Sequence, residues 1–235
     1  MTRPAGMLLP GNMCDARLWP DQVRDALPGA IDADLTLDDS IAAMAARALA
    51  AVEGPLLAVG FSLGAIVATE MWVQAPHRVR GLILIGYNAA ADVPERAAHR
   101  PFQQAEVRAG GLERVLVEEL KPNYLAAARR GDTALLARIR DMGLGLGGEV
   151  FVRQSEALRL RADRRSSLAK MRIPVLFSCG TEDALCPSDW HRQWHLAVPG
   201  SRLELVAGAG HMLPLEAPES LARMIGQWIG GKELL

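Results

Sequence analysis

A serine flanked by glycines, Gly60-Phe61-Ser62-Leu63-Gly64, is the segment of this chain best suited to covalent chemistry. It fits the pattern G-x-S-x-G, and its neighbours give the fit its meaning. The apolar run Leu56-Leu57-Ala58-Val59 precedes it, and a helical pattern follows over 65–75. A serine between strand and helix must sit on a tight, strained turn. The two glycines let strand and helix pass closely without a Cβ clash. The Oγ is then exposed above a helix N-terminus, where partial positive charge favours a developing anion. The chemistry this permits is attack on a carbonyl carbon.

A hydroxyl attacks poorly until a base takes its proton. His211, in Ala209-Gly210-His211-Met212-Leu213-Pro214, follows the apolar run Leu203-Glu204-Leu205-Val206 and is the expected base. An imidazole in that role needs a carboxylate to fix its tautomer and stabilise its cation. Asp183, in Gly180-Thr181-Glu182-Asp183, follows the run Val175-Leu176-Phe177 and is preferred. Glu182 is an adjacent competitor, and Asp189 falls farther along, where it would open a helix. The developing oxyanion needs amide donors. Leu63, after the serine, should supply one. Asn12, in Leu9-Pro10-Gly11-Asn12-Met13, should supply the other, with Met13 the neighbour that could displace it.

These residues act together only if the fold brings them to one place. Short apolar runs ending in glycine read as buried parallel strands. Met7-Leu8-Leu9, the runs at 56–59 and 175–177, Leu82-Ile83-Leu84-Ile85 and 203–206 are five such runs, and 31–37 is a weaker sixth. Helical patterns at 41–51 (with Ser40 as cap), 63–75 and 221–229 alternate with them. The expected class is α/β, a mostly parallel sheet of about six strands. Each candidate then follows the C-terminal end of a strand, the edge where such sheets build their sites.

Residues 88–170 break the alternation. They are rich in Ala, Leu, Arg and Glu, and read as a helical insertion dividing a core of 1–87 and 171–235. The insertion carries 15 Lys and Arg against 11 Asp and Glu, a balance of +4, which leaves −5 for the rest. A solvated helical surface accounts for that; mild attraction of anionic substrates is the other reading. Gly143–Gly148 has the glycine content of a phosphate loop without its Lys-Ser/Thr, and reads as a hinge between helices.

The whole chain has 235 residues, is 50% hydrophobic and carries a formal charge of −1, so nothing global points to nucleic acid or an anionic membrane. No apolar run is long enough for a signal peptide or a membrane span, since Arg3 is followed only by Met7-Leu8-Leu9 before Pro10. Three scattered cysteines, Cys14, Cys179 and Cys186, form no disulfide framework or metal knuckle. The cytoplasm is the expected compartment. His191 and His195 are spaced for a metal pair but lack a third ligand, so no metal is expected. Cys14 has no histidine near it in sequence and reads as a bystander. Trp19, Trp72, Trp190, Trp194 and Trp228 should pack the helices that flank the sheet.

Over almost its whole length the sequence resembles the α/β-hydrolase superfamily. The match rests on Leu9-Pro10-Gly11-Asn12, the serine pentapeptide, Gly180-Thr181-Glu182-Asp183, and Gly210-His211 followed by Glu216-Ala217-Pro218-Glu219. The closest likeness is to small carboxylesterases and lactonases, and it implies that 88–170 is a cap domain. Two departures stand out. Many members carry His-Gly where this chain has Pro10-Gly11, and the usual N-terminal hairpin is missing from the expected sheet. A truncated edge would allow a homodimer.

The resulting expectation is hydrolysis of a carboxylic ester or lactone, a small acyl substrate, through an acyl-enzyme on Ser62, with no cofactor. The same residues would serve a thioesterase, acyltransferase, C–C bond hydrolase or cofactor-free perhydrolase. A ligand-binding protein on this scaffold would not need all three of Ser62, Asp183 and His211. Phe102, Met142, Leu144, Phe151 and Leu158 are candidate apolar lining for the substrate.

Overall fold

A computed structural model describes residues 4–120 and 123–231. Residues 1–3 (Arg3 among them) and 232–235, at the ends of the expected core, lie outside the described residues. So do 121–122, within the expected insertion.

Strands β1 (Ala5–Leu9), β2 (Ile31–Asp32), β3 (Leu56–Phe61), β4 (Val79–Ile85), β5 (Val175–Gly180) and β6 (Arg202–Val206) form one sheet in the order β2-β1-β3-β4-β5-β6. Every adjacent pair is parallel. The six strands stand where the apolar runs placed them. The expected strand over 31–37 is shorter than its sequence suggested. Only Ile31 and Asp32 pair with β1, because Asp34 turns its carboxylate onto the Thr36 amide and hydroxyl, a local bond that competes with a ladder.

The helices are α1 (Asp21–Asp25), α2 (Ile41–Ala50), α3 (Leu63–Gln74), α4 (Pro94–Arg108), α5 (Leu112–Arg114), α6 (Thr133–Leu146), α7 (Gly148–Arg159), α8 (Arg165–Leu168), α9 (Ser188–Ala197), α10 (Leu213–Glu216) and α11 (Pro218–Gly230). Ser40 Oγ accepts the Ala43 amide at 3.2 Å, the N-cap that the sequence predicts. In α2, Ile41, Met44, Ala45, Ala48 and Leu49 are buried, the spacing of one apolar face. Helix α3 is buried on every side from Leu63 to Met71, so it has no solvent stripe.

Strand side chains alternate between two cores. Leu56, Ala58, Leu82, Leu84 and Phe177 pack with α2, α3 and α9. Leu57, Val59, Phe61, Ile83, Ile85 and Leu176 pack with α1 and α11. Each fully buried Leu, Ile or Val of these faces contributes about 1.5–3 kcal/mol. Trp194 lies in the first core, with Trp72 and Trp190 packed against it, and Trp19 and Trp228 in the second.

Helices α4 to α8 all lie between β4 and β5 in sequence. Val107, Val115, Leu116, Val150 and Phe151 give this segment a small core of its own, which also receives Met13. Gly143 and Gly145 are inside α6 rather than in a hinge. A Cβ on Gly143 would lie 2.7 Å from Leu116 Cδ1, so that glycine serves close packing. The break between α6 and α7 belongs to Gly147 alone, at φ 84°. Among the described residues, no helix is long and apolar enough to cross a membrane.

Candidate active site

Ser62 sits between β3 and α3 at φ 52°, ψ −112°, a conformation that L-residues rarely adopt. The turn persists because its surroundings tolerate nothing larger than glycine on either side. A Cβ on Gly60 would come within 2.4 Å of Gly64 O, and one on Gly64 within 2.0 Å of Leu9 O. The Ser62 amide is tied to Ile85 O at 2.9 Å, which fixes the turn to the neighbouring strand.

Three of the expected residues converge. His211 Nε2 lies 3.1 Å from Ser62 Oγ, and His211 Nδ1 lies 2.8 Å from Asp183 Oδ2. Asp183 Oδ1 accepts the Leu185 and Cys186 amides at 2.9 and 2.7 Å. Both Asp183 and His211 are buried. Burial alone would raise the Asp183 carboxyl, but the His211 ring and the Cys186 amide outweigh it and hold the group below the usual range. A hydroxyl at this distance can pass its proton to the imidazole, and the carboxylate can carry the resulting charge.

Glycines again make room around the imidazole. A Cβ on Gly86 (φ 56°) would press within 3.1 Å of His211 Cε1. Phe61 and Tyr124 flank the ring at centroid distances of 5.0 and 6.0 Å.

The competing carboxylates have other work. Glu182 Oε2 accepts the Ala127 amide at 2.8 Å. Asp189, in the first turn of α9, is exposed. Glu216 bridges the Gly210 amide (3.1 Å) and the Ala126 amide (2.9 Å), and Met212 N–H donates to Tyr124 O. The His211 loop and residues 124–127 are thereby laced together.

The two candidate donor amides differ in kind from their neighbour. Met13 N–H donates to Gln154 Oε1 at 2.8 Å, so Met13 is engaged. Among the described residues, no hydrogen bond engages the Asn12 or Leu63 amide. Gln154 is buried and its Nε2 donates onward to Leu35 O at 3.0 Å. Nothing in the sequence singles out Gln154, since an isolated glutamine on a helix reads as solvent-facing. Gly11 is required in this loop, because a Cβ would meet the Phe61 ring at 2.7 Å.

A cavity of about 540 Å³ opens over Ser62 and His211, within the range of small-molecule sites. Of the expected apolar lining only Leu158 contributes. Phe102 is 72% exposed, Met142 and Phe151 are buried in cores, and Leu144 packs against one. The helical period of α4, α6 and α7 fits core-facing and cavity-facing positions equally well, which is why the sequence could not separate them. The wall holds instead Ile66, Tyr124 and Leu185 beside Arg96, Arg100 and Arg161.

His191 is no metal ligand. Its Nε2 accepts the Tyr87 amide at 2.9 Å, which leaves Nδ1–H to donate to Pro187 O. His195 Nδ1 meets Ser201 Oγ instead. Among the described residues no cluster of three metal-type side chains occurs. Burial pushes the Cys14 thiol up to about 12, so it stays protonated beside the cavity.

A model of the alpha/beta hydrolase family matches residues 8–224. A pimeloyl-[acyl-carrier protein] methyl ester esterase of Neisseria meningitidis is 27% identical over 219 residues, covering 91% of this chain and 84% of that protein. A thermophilic esterase from Thermogutta terrifontis superposes with a TM-score of 0.89 at 23% identity, covering 98% of this chain and 90% of the other. The enol-lactonase of Burkholderia xenovorans superposes at 0.85 with 19% identity, covering 98% and 92%. At those identities the two structures speak for the fold.

Proposed function

Because the chain belongs to the alpha/beta hydrolase family, we propose that it cleaves a carboxylic ester or lactone through an acyl-enzyme on Ser62. The observation that carries this reading is the continuous chain of contacts from Ser62 Oγ to His211 Nε2 (3.1 Å) and from His211 Nδ1 to Asp183 Oδ2 (2.8 Å). The Neisseria relative, a methyl ester esterase by name, supports the same bond type.

In this reading His211 takes the Ser62 proton as Oγ attacks the carbonyl, then returns it to the leaving alcohol. Asp183 holds the Nδ1–H tautomer and stabilises the imidazolium. The Leu63 and Asn12 amides, which no hydrogen bond engages among the described residues, receive the oxyanion. Water, activated by the same imidazole, then releases the acid and restores Ser62. Residues 88–170 act as a cap whose helices close the cavity over the serine.

Ser62→Ala tests the reading. Turnover of a p-nitrophenyl ester should fall at least about a thousandfold, with circular dichroism and unfolding midpoint preserved. Undiminished turnover would overturn it.

A further inference from the structure

We propose that the cavity is built for an ester or lactone that carries a free carboxylate, held by Arg100 with Arg96 beside it. The inference rests on the hydrolase reading for the bond cleaved, but its anion site stands on observations of its own.

Arg100, on α4, is more than nine-tenths buried and lines the cavity. Its Nε donates to Asp92 Oδ2 at 2.6 Å. Among the described residues its two Nη groups take no hydrogen bond. A buried guanidinium left with its terminal fork unpaired is costly unless something else meets it.

Behind Arg100 stands a buried ion pair. Asp92 is itself buried, and Arg161 Nη1 lies 3.0 Å from its Oδ1. Arg161 spends its other donors on backbone, Nε on Ala90 O at 3.0 Å and Nη2 on Ala91 O at 3.3 Å. Arg161 is therefore a brace, and Asp92 a fixed anchor that aims Arg100. A pre-aimed guanidinium loses little freedom on binding a planar pair of oxygens.

Charge points to the same occupant. Arg96 stands one turn before Arg100 on α4, also on the wall, and no ion pair engages it among the described residues. Arg96, Arg100 and Arg161 face one lining carboxylate, Glu119, together with Asp92 behind the wall. Glu119 is already bonded by Gln103 (2.7 Å), and Arg114 lies 2.7 Å from it. The wall therefore keeps a net positive charge, which suits an anionic group, and the planar fork left open on Arg100 suits the two oxygens of a carboxylate. Ile66, Tyr124, Leu158 and Leu185 add apolar surface that suits a short carbon chain, beside the polar Asn88, Gln103 and Asn123.

The wild-type enzyme supplies the first test, without any substitution. Monomethyl esters of four- to eight-carbon dicarboxylic acids are compared with the dimethyl esters and with methyl alkanoates of equal length. Acetyl esters of hydroxy acids cover the case in which the carboxylate lies on the leaving group. The anionic member of a pair should show kcat/KM higher by about tenfold to a hundredfold, the value of a charged hydrogen-bond pair. Arg100→Met should erase that ratio, chiefly through KM, while Arg100→Lys restores part of it. Should both variants fail to fold, Arg96→Met, at an exposed position, should still reduce the ratio.

Binding separates this inference from the hydrolase reading. Ser62→Ala protein titrated calorimetrically with adipate should bind it, and Ser62→Ala/Arg100→Met should bind it at least about tenfold more weakly. Neutral esters turned over as fast as anionic ones, with no adipate binding, would overturn the carboxylate site and leave the serine chemistry standing. Tighter binding of an alkyl phosphate than of adipate would also overturn it.

Discussion

Gln154 Oε1 accepts the Met13 amide at 2.8 Å across 141 residues of sequence, joining α7 to the loop after β1. The bond holds Met13 at φ 54°, in the left-handed region, and leaves Asn12 as the loop's unengaged amide beside Ser62. If Asn12 is an oxyanion donor as proposed, its placement depends on a glutamine from the helical segment.

Gln154→Leu should expose that dependence. It strands a buried N–H and the Leu35 carbonyl, so urea unfolding should show a loss of about 2–4 kcal/mol. In the folded fraction, kcat should fall about tenfold or more with KM nearly unchanged, as for loss of a donor that acts in the transition state. Equal kcat in the two proteins would remove Gln154 from the mechanism.

Asp183→Asn should lower kcat by roughly a thousandfold to ten-thousandfold, because the amide favours the wrong imidazole tautomer. Burial opposes the Asp183 carboxylate, but His211 and the Cys186 amide more than compensate, so its folded pKa lies below the ordinary value. Its contribution to stability is present above the ordinary carboxylate range and is lost as pH falls through the folded pKa. The acid limb of kcat/KM should therefore show no second proton from Asp183. A limb of slope two would contradict this.

His191 should make the fold acid-sensitive. Burial, against the pull of Pro187 O and Asp183, lowers its pKa from 6.5 to about 4. Between those values the unfolded chain binds a proton that the folded chain refuses, so stability falls as pH drops through this window. The full difference is roughly 3 kcal/mol. Urea unfolding at pH 7 and pH 4.5 should show a loss that is smaller in His191→Gln. Parallel losses in the two proteins would place the acid sensitivity elsewhere.

The cysteines should be inert in the native state. Burial pushes Cys14 and Cys179 up to about 12, and Cys186 well above its ordinary value. Iodoacetamide at pH 8 should leave them unmodified until urea is added, as read by intact mass. Rapid native alkylation would contradict the burial.

The sequence showed the skeleton of this site because its parts are local. A glycine-flanked serine after an apolar strand can fold in few ways, and a parallel sheet brings all strand ends to one edge. Ser62, Asp183 and His211 were legible for that reason. Gln154, Asp92 and Arg100 were not, because their meaning comes from partners far away in the chain or from a wall that three helices share. Phe102 shows the same limit from the other side. It is apolar on a helix, yet it faces solvent, while Arg100 two residues earlier is buried in the cavity wall. Helical spacing marks a face but does not say what lies opposite it.

The most direct test of the account is where a fluorophosphonate probe attaches. Peptide mapping by mass spectrometry should place one adduct, on Ser62. The adduct should be absent from Ser62→Ala and should form at least about a hundredfold more slowly in His211→Ala. An adduct on another residue, or labelling that does not depend on His211, would contradict the account.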